Sequence, residues 1–392
     1  MKAGIAALIL AYGLSQFYRA FLAVLAPDLQ ADIGAMPDDL AQASGVWFLV
    51  FAAMQIPVGS ALDRIGPRVT AVVLFAIGTG GGALLFATAQ VPLHVTLAMA
   101  LIGAGCSPVL MAGYYIFAKT YSPAIFATLA GAMLGLGSLG NLAGAAPLAA
   151  AVQAYGWRET MLALAAVSGA ISVLLWVFIK NPPPEDTPQR GSVLDLLKMP
   201  QLWPLFALVF VNYAPAAGLR GLWAGPYVQD VYAADALLIG QVTLVMGIAM
   251  IAGSFGYGPL ERLFGTRKWV IAAGNAAATL GLLALIVTPA PGLVATTILL
   301  AIIGFGGSSF PLLVAHGKAF MPRHLTGRGV TLINLFGIGG VGVAQFATAP
   351  IHRLGQAASA DPAQAYRLIF AYFAVASMLG LLAYMWVQDR TD

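Results

Sequence analysis

The chain has 392 residues, of which 60% are hydrophobic and only 9% charged, with a formal net charge of +4. Soluble domains carry about 25% charged residues, so this composition excludes an ordinary water-soluble domain and points to an all-α polytopic membrane protein. The basic residues stand singly between apolar spans, which argues against nucleic acid as a partner. Cys106 is the only cysteine, which excludes a disulfide framework and a cysteine-based metal cluster.

A window of about 19 residues predicts twelve spans. They lie near 5–26, 42–62, 70–89, 94–118, 125–151, 157–179, 203–229, 237–260, 269–288, 292–317, 326–350 and 366–387. The opening MKAGIAALILAYGLSQFYRA runs on through Arg19 to Ala26 without a small-residue cleavage site, so it is expected to persist as the first helix rather than to be removed as a signal peptide. The longest connection runs from Lys180 to Leu202 and combines the proline-rich NPPPEDTPQRGS with the amphipathic SVLDLLKMPQLW. It divides the chain into an N-terminal six-helix bundle (1–180), a linker (181–202) and a C-terminal six-helix bundle (203–392).

Orientation follows from the basic residues. With the N-terminus cytoplasmic, that side holds Lys2, Arg64, Arg68, Lys119, Lys180, Arg190, Lys198, Arg262, Arg267, Lys268, Lys318, Arg323, Arg328 and Arg390, against Arg158, Arg353 and Arg367 opposite. Both termini and the linker are therefore expected in the cytoplasm, with the chain crossing a cell (inner or plasma) membrane many times.

Two basic residues remain, Arg19 in the first span and Arg220 in the seventh, and no lysine or acid joins them in a span core. A charged side chain at the bilayer centre costs about 2.5–3.5 kcal/mol on insertion scales, so it normally has a function and a partner. Tyr12, Ser15, Gln16 and Arg19 follow the spacing of one helical face, and Asn212, Tyr213, Arg220, Trp223 and Tyr227 form a comparable stripe. Pro215, Gly218 and Gly221 interrupt the second stripe, as broken helices do where they line a cavity. Two fixed positive charges without a fixed negative one suit a small anion. Arginine rather than lysine suggests a bidentate grip on a carboxylate, phosphate or other oxyanion.

The two halves also repeat. GAGCSP (Gly103–Pro108) aligns with GFGGSS (Gly304–Ser309), and the same shift of 201 carries Tyr12 and Arg19 onto Tyr213 and Arg220. The loop GSALDRIGPR after the second span returns after the eighth as GPLERLFGTR, setting Gly59, Gly66 and Arg68 against Gly258, Gly265 and Arg267.

The run Gly59, Asp63, Arg64, Gly66, Arg68 resembles the loop between helices two and three of the major facilitator superfamily, and the resemblance covers the whole chain. It implies that superfamily's fold, with two six-helix bundles related by a pseudo-two-fold axis. It also implies secondary transport by alternating access, a monomer and no cofactor. Gly59 and Gly66 would allow tight helix approach, while Asp63, with Arg64 and Arg68, would latch the cytoplasmic gate. In the second copy Arg262 and Leu263 replace the Asp63–Arg64 pair, so the charge pattern reads as complete only in the first half. An arginine in helix one and another in helix seven is similar to the organophosphate and organic-anion branches. Phe17-Tyr18-Arg19, leading to Ala26-Pro27-Asp28-Leu29, is similar to anion-symporter and nitrate/nitrite branches.

Tyr114, Tyr115 and His316 lie on helices that line the cavity in this superfamily, with Tyr115 and His316 related by the same shift, and read as a rim around the substrate. Gln55, Asn141, Asn334 and Gln345 read as interhelical glue, the glycines of spans five and eleven as close-packing residues, and Trp47, Trp157 and Trp203 as an interfacial belt. No membrane-embedded carboxylate offers itself for proton coupling, and His316 reads as the one mid-span group that titrates near neutrality. An anion exchanger or facilitator is therefore favoured, with a coupling proton or a counter-anion as its second partner. The rival is a proton-coupled multidrug exporter of the same superfamily, which shares the Asp63–Arg68 loop but wants a buried acid.

Overall fold

The computed structural model describes residues 2–121, 129, 132–182, 193–322, 326–359 and 361–391. Among them are helices and no strand, the arrangement that satisfies every backbone group within its own segment when hydrocarbon surrounds it. Ten helices are long and apolar enough to cross a membrane, and up to twelve if each of two bent pairs counts as one span. The chain clusters into two units, Met1–Glu185 with Asp235–Gln241, and Asp186–Ala234 with Val242–Asp392. Most of the linker lies outside the described residues, as does Gly131.

The first unit contains α1 (Lys2–Phe17), α2 (Leu22–Ile33), α3 (Pro37–Arg64), α4 (Pro67–Leu74), α5 (Gly81–Ala87), α6 (Pro92–Thr120), α7 (Leu139–Ala143), α8 (Ala146–Tyr155) and α9 (Trp157–Phe178). Proline opens α3, α4 and α6, where its missing N–H is an orphan in any case. One π-helical turn, Phe75–Gly80, joins α4 to α5. The second unit contains α10 (Val193–Leu197), α11 (Trp203–Asn212), α12 (Ala214–Gly218), α13 (Ala224–Tyr232), α14 (Ala236–Phe264) from Val242 onward, α15 (Lys268–Val287), α16 (Leu293–Gly306), α17 (Phe310–Lys318), α18 (Thr326–Ala358) and α19 (Pro362–Tyr384).

The repeated glycines do equivalent work in each unit. A Cβ on Gly103 would stand 2.5 Å from the Trp47 carbonyl oxygen of α3, and one on Gly304 3.1 Å from the Met246 carbonyl oxygen of α14. Gly105 packs on the Gly78–Thr79 backbone and Gly306 on the Gly274 carbonyl. Such contacts bring whole helices together by dispersion, which is the main attraction available in lipid.

The loop copies match as well. Gly66 and Gly265 have φ of 98° and 63°, a region that disfavours side chains. Beyond Gly66, the Arg68 N–H donates to Asn181 Oδ1 at 3.0 Å, its Nε donates to the Trp176 carbonyl, and its guanidinium lies 4.2 Å from the Trp176 ring centroid. Beyond Gly265, the Thr266 hydroxyl and the N–H groups of Arg267 and Lys268 donate to the Asp389 carboxylate. A polar residue just past the last helix of each unit therefore caps the helix that follows the loop. The second copy is also charge-paired, with Arg267 Nε donating to Glu261 Oε1 at 2.6 Å. Glu261 stands one position before Arg262, which occupies the Asp63 position, so this pair is an addition to the loop and not a copy of the Asp63–Arg64 pair. Arg64 is exposed, and the Asp63 side chain lies outside what the structure describes.

Burial pushes the Asp389 carboxyl up, but the donors from Thr266, Lys268 and Arg267 outweigh it and hold the group below its ordinary value of 3.8. A depressed carboxyl adds stability above its unfolded value, and that stability fades as pH falls through the folded one. Asp389→Ala is expected to lower the melting temperature at pH 7 and to lose its effect towards pH 3. Thermal unfolding at both pH values checks this, and a pH-independent deficit would refute the charge argument.

Trp47 and Trp157 are corrections to the expected interfacial belt. Both are buried, Trp47 against α6 and Trp157 with Nε1 donating to Asp32 Oδ2 at 2.9 Å. Trp203, which is 49% exposed, keeps the outward position expected of it.

Candidate functional site

In the first unit, Arg19 sits in the turn between α1 and α2, which meet at 53°. The N–H groups of Tyr18, Arg19 and Ala20 donate to Leu14, Gln16 and Phe17 carbonyls, so tight turns carry the chain through the break. No glycine or proline marks it in the sequence. Packing explains it: Phe17, Tyr18 and Phe21 form a ring cluster with centroids 5.3–5.9 Å apart, and Phe21 extends it to Phe86. The helical face that carries Tyr12, Ser15 and Gln16 ends at Phe17, which corrects the expectation that Arg19 continues it.

The Arg19 guanidinium lies over Trp47 and Phe51 of α3, 5.4 and 5.1 Å from their ring centroids. Cation–π contacts of this kind contribute about 0.5–2 kcal/mol each. They leave the hydrogen-bonding edge unused: Arg19 Nε is buried without a hydrogen-bond partner among the described residues. No acid pairs with Arg19 among them either. Trp47 Nε1, Gln16 Oε1 and Gln55 Oε1 are likewise buried without partners. Tyr12 is 4% exposed, and its ring fills the space beside Gly137. Tyr115 is half-buried, with the Lys119 ammonium 5.0 Å from its ring centroid.

In the second unit, Arg220 sits in a π-helical turn, Leu219–Trp223, between α12 and α13. The interruption expected from Pro215 and Gly221 is therefore a local widening of the helix, and the span from Pro200 to Tyr232 continues through it. Arg220 is 2% exposed, and its Nε donates to the Thr243 carbonyl at 3.0 Å. Gly247, one turn along α14, makes room for it, since a Cβ there would lie 2.8 Å from Nη2. Gly247→Val is expected to displace the guanidinium and to weaken Arg220-dependent ligand binding at least tenfold. Isothermal binding checks this, and wild-type affinity would sink it.

The remaining second-unit candidates are placed as follows. Asn212 Nδ2 donates to Asn275 Oδ1 and Ser309 Oγ, both at 2.8 Å, in a buried knot that the sequence reading did not anticipate. Tyr213 is half-buried at the end of α11. Trp223 Nε1 donates to Thr348 Oγ1 at 3.0 Å, and the Tyr227 hydroxyl donates to the Pro289 carbonyl. His316 is not mid-span but in the last turn of α17, with Nδ1 on the Tyr384 hydroxyl at 2.7 Å and Nε2 on the Gln388 carbonyl at 2.9 Å. His352 was overlooked because α18 runs on to Ala358; it is buried between the Trp223 and Tyr366 rings, at 4.8 and 5.0 Å. Gln345, expected as glue, is 0% exposed, yet neither amide atom has a partner among the described residues.

Two compact helical units with matched glycine packing, matched loops and one arginine within a span, half-buried at a bend in the first and buried at a widened turn in the second, make the pattern of a membrane transporter. The model of the Major Facilitator Superfamily matches residues 8–345, and the chain belongs to that superfamily. No curated protein matches it in sequence. A bacterial homologue of the human lysosomal transporter Spinster, inward-facing and occupied, is similar in fold: TM-score 0.73, 18% identity, 98% of this chain and 96% of that one. A D-xylose–proton symporter superposes with TM-score 0.77 at 14% identity over 98% and 96% of the two chains. A nucleoside transporter gives 0.75 at 13% over 98% and 99%.

Proposed function

We propose that this multi-pass transporter carries a small anion by alternating access, with Arg19 and Arg220 as the residues that hold it. The supporting observation is Arg19. Its guanidinium is held on two aromatic faces, its Nε is buried and unmatched, and no described acid neutralises it. A buried donor left unmatched costs about 1–3 kcal/mol, more when charged, so the arrangement suits a bound oxyanion better than an empty site. Arg220, buried at a widened turn of its own span, supplies the second cation. Both His316 ring nitrogens are occupied by the final helix and the stretch after it, which favours exchange or facilitated movement over coupling through that residue. The basic residues favour cytoplasmic termini in the cell membrane, with a monomer as the working unit.

The test is thermal stabilisation of the purified protein by nitrate, phosphate esters, carboxylates and sulfonates, beside lipophilic cations. A specific anion should raise the melting temperature of the wild type and of neither Arg19→Gln nor Arg220→Gln. Stabilisation by cations alone would overturn the proposal in favour of a proton-coupled multidrug exporter.

A further inference from the structure

The unmatched atoms around Arg19 have a composition of their own. Trp47, Phe51 and Gln55 are spaced four apart on α3 and so share one face. Arg19 lies on the first two. Gln55, one turn further, is 3% exposed, and its Nε2 donates to the Phe51 and Ser107 carbonyls, both at 3.3 Å. Those two carbonyls settle the amide's orientation, because the flipped form would set oxygen against oxygen. Gln55 Oε1 is therefore a fixed acceptor, buried and without a partner. Gln16 Oε1, in the last turn of α1 just before Arg19, is also buried without a partner. A bare oxyanion has only acceptors. It satisfies Arg19 and Trp47 Nε1 and leaves both amide oxygens unmatched.

We infer that the first unit selects an anion that also carries hydroxyl donors, with Gln55 and Gln16 as the specificity-determining residues. Arg19 binds the charged end, Trp47 Nε1 donates to it, and the two amide oxygens accept from hydroxyl groups on the neighbouring carbons. This rests on the anion reading and narrows it to hydroxylated carboxylates or phosphate esters.

The test measures binding to the full-length protein for pairs matched in charge. Glycerate is set against propionate, glycerol 3-phosphate against methyl phosphate, and nitrate serves as the bare ion. One hydrogen bond is worth about 0.5–1.5 kcal/mol, so the hydroxylated member of a pair should bind about tenfold tighter. The pair with the higher affinity tells carboxylate from phosphate. Gln55→Met, close in volume, should collapse the ratio towards one, and Gln16→Met should reduce it. The wild-type ratio stands even if a variant fails to fold. Equal, Arg19-dependent binding of both members would overturn this inference and leave the anion reading intact. Absence of any Arg19-dependent anion binding would overturn both.

Discussion

Gly140→Ala is expected to eliminate most of the folded protein. Gly340→Ala should do the same. The added Cβ of Gly140 would fall inside van der Waals contact of the Gly13 carbonyl oxygen, and that of Gly340 inside contact of the Phe210 carbonyl oxygen. In both cases the obstacle is the backbone of a neighbouring helix, which cannot rotate away as a side-chain tip would. Relief requires two helices to part, and the dispersion contacts along the seam go with them. Overpacking costs about 1–3 kcal/mol where side chains absorb it, and these two sites belong at or above the upper end of that range. Gly59→Ala is the control, since nothing lies within 4 Å of its would-be Cβ, which corrects the expectation that Gly59 admits a tight helix approach. Monodispersity and melting temperature in detergent decide the matter. Well-folded Gly140→Ala protein would show that the seam is looser than these contacts imply.

The second large effect concerns the chemistry of Arg19. Arg19→Gln removes the charge and should weaken anion binding by about thirtyfold or more, in line with the 2–5 kcal/mol typical of truncating one partner of a buried charge pair. Arg19→Lys keeps the charge and is the sharper probe. An ammonium loses the planar stack on Trp47 and Phe51 and the two-pronged donor edge, so binding should still fall about tenfold. Trp47→Leu removes the platform while leaving the arginine in place, and should fall between the two. Full affinity in Arg19→Lys would mean that only charge matters and that the aromatic platform is incidental. Arg220 is the useful comparison because a carbonyl, not a ring, orients its Nε. Its Lys variant should lose less.

Much of this was legible from spacing alone. Repeated glycines are legible because a close helix contact needs the same residue wherever it recurs, and Gly103, Gly105, Gly304 and Gly306 all pack on backbone. The paired turns at Gly66 and Gly265 are legible for the same reason, as positive φ leaves little choice of residue. Arg19 and Arg220 stood out because charge in an apolar span is costly. The partners of these residues were a different matter. Nothing local announces that Asn181 caps the helix after Gly66, that Asp389 does so after Gly265, or that Glu261 pairs with Arg267, because each contact joins residues from separate turns or helices.

The sequence by itself determined that the chain lives in a membrane, that it is two copies of one helical unit, and that two arginines must be accounted for. These are properties of composition and period, and hydrocarbon permits few answers to them. Only the tertiary structure decided what surrounds the arginines. The bend at Arg19 arises from aromatic packing rather than from a helix breaker, and it takes Arg19 off the face of Tyr12 and Gln16. Trp47 is a platform for a guanidinium rather than an interfacial anchor. His316 belongs to the clasp on the segment after α19. Gln55 has one amide atom committed and one left over. Each depends on which helices touch and at what register, and a side chain's partners across that gap leave no imprint on its neighbours in the chain.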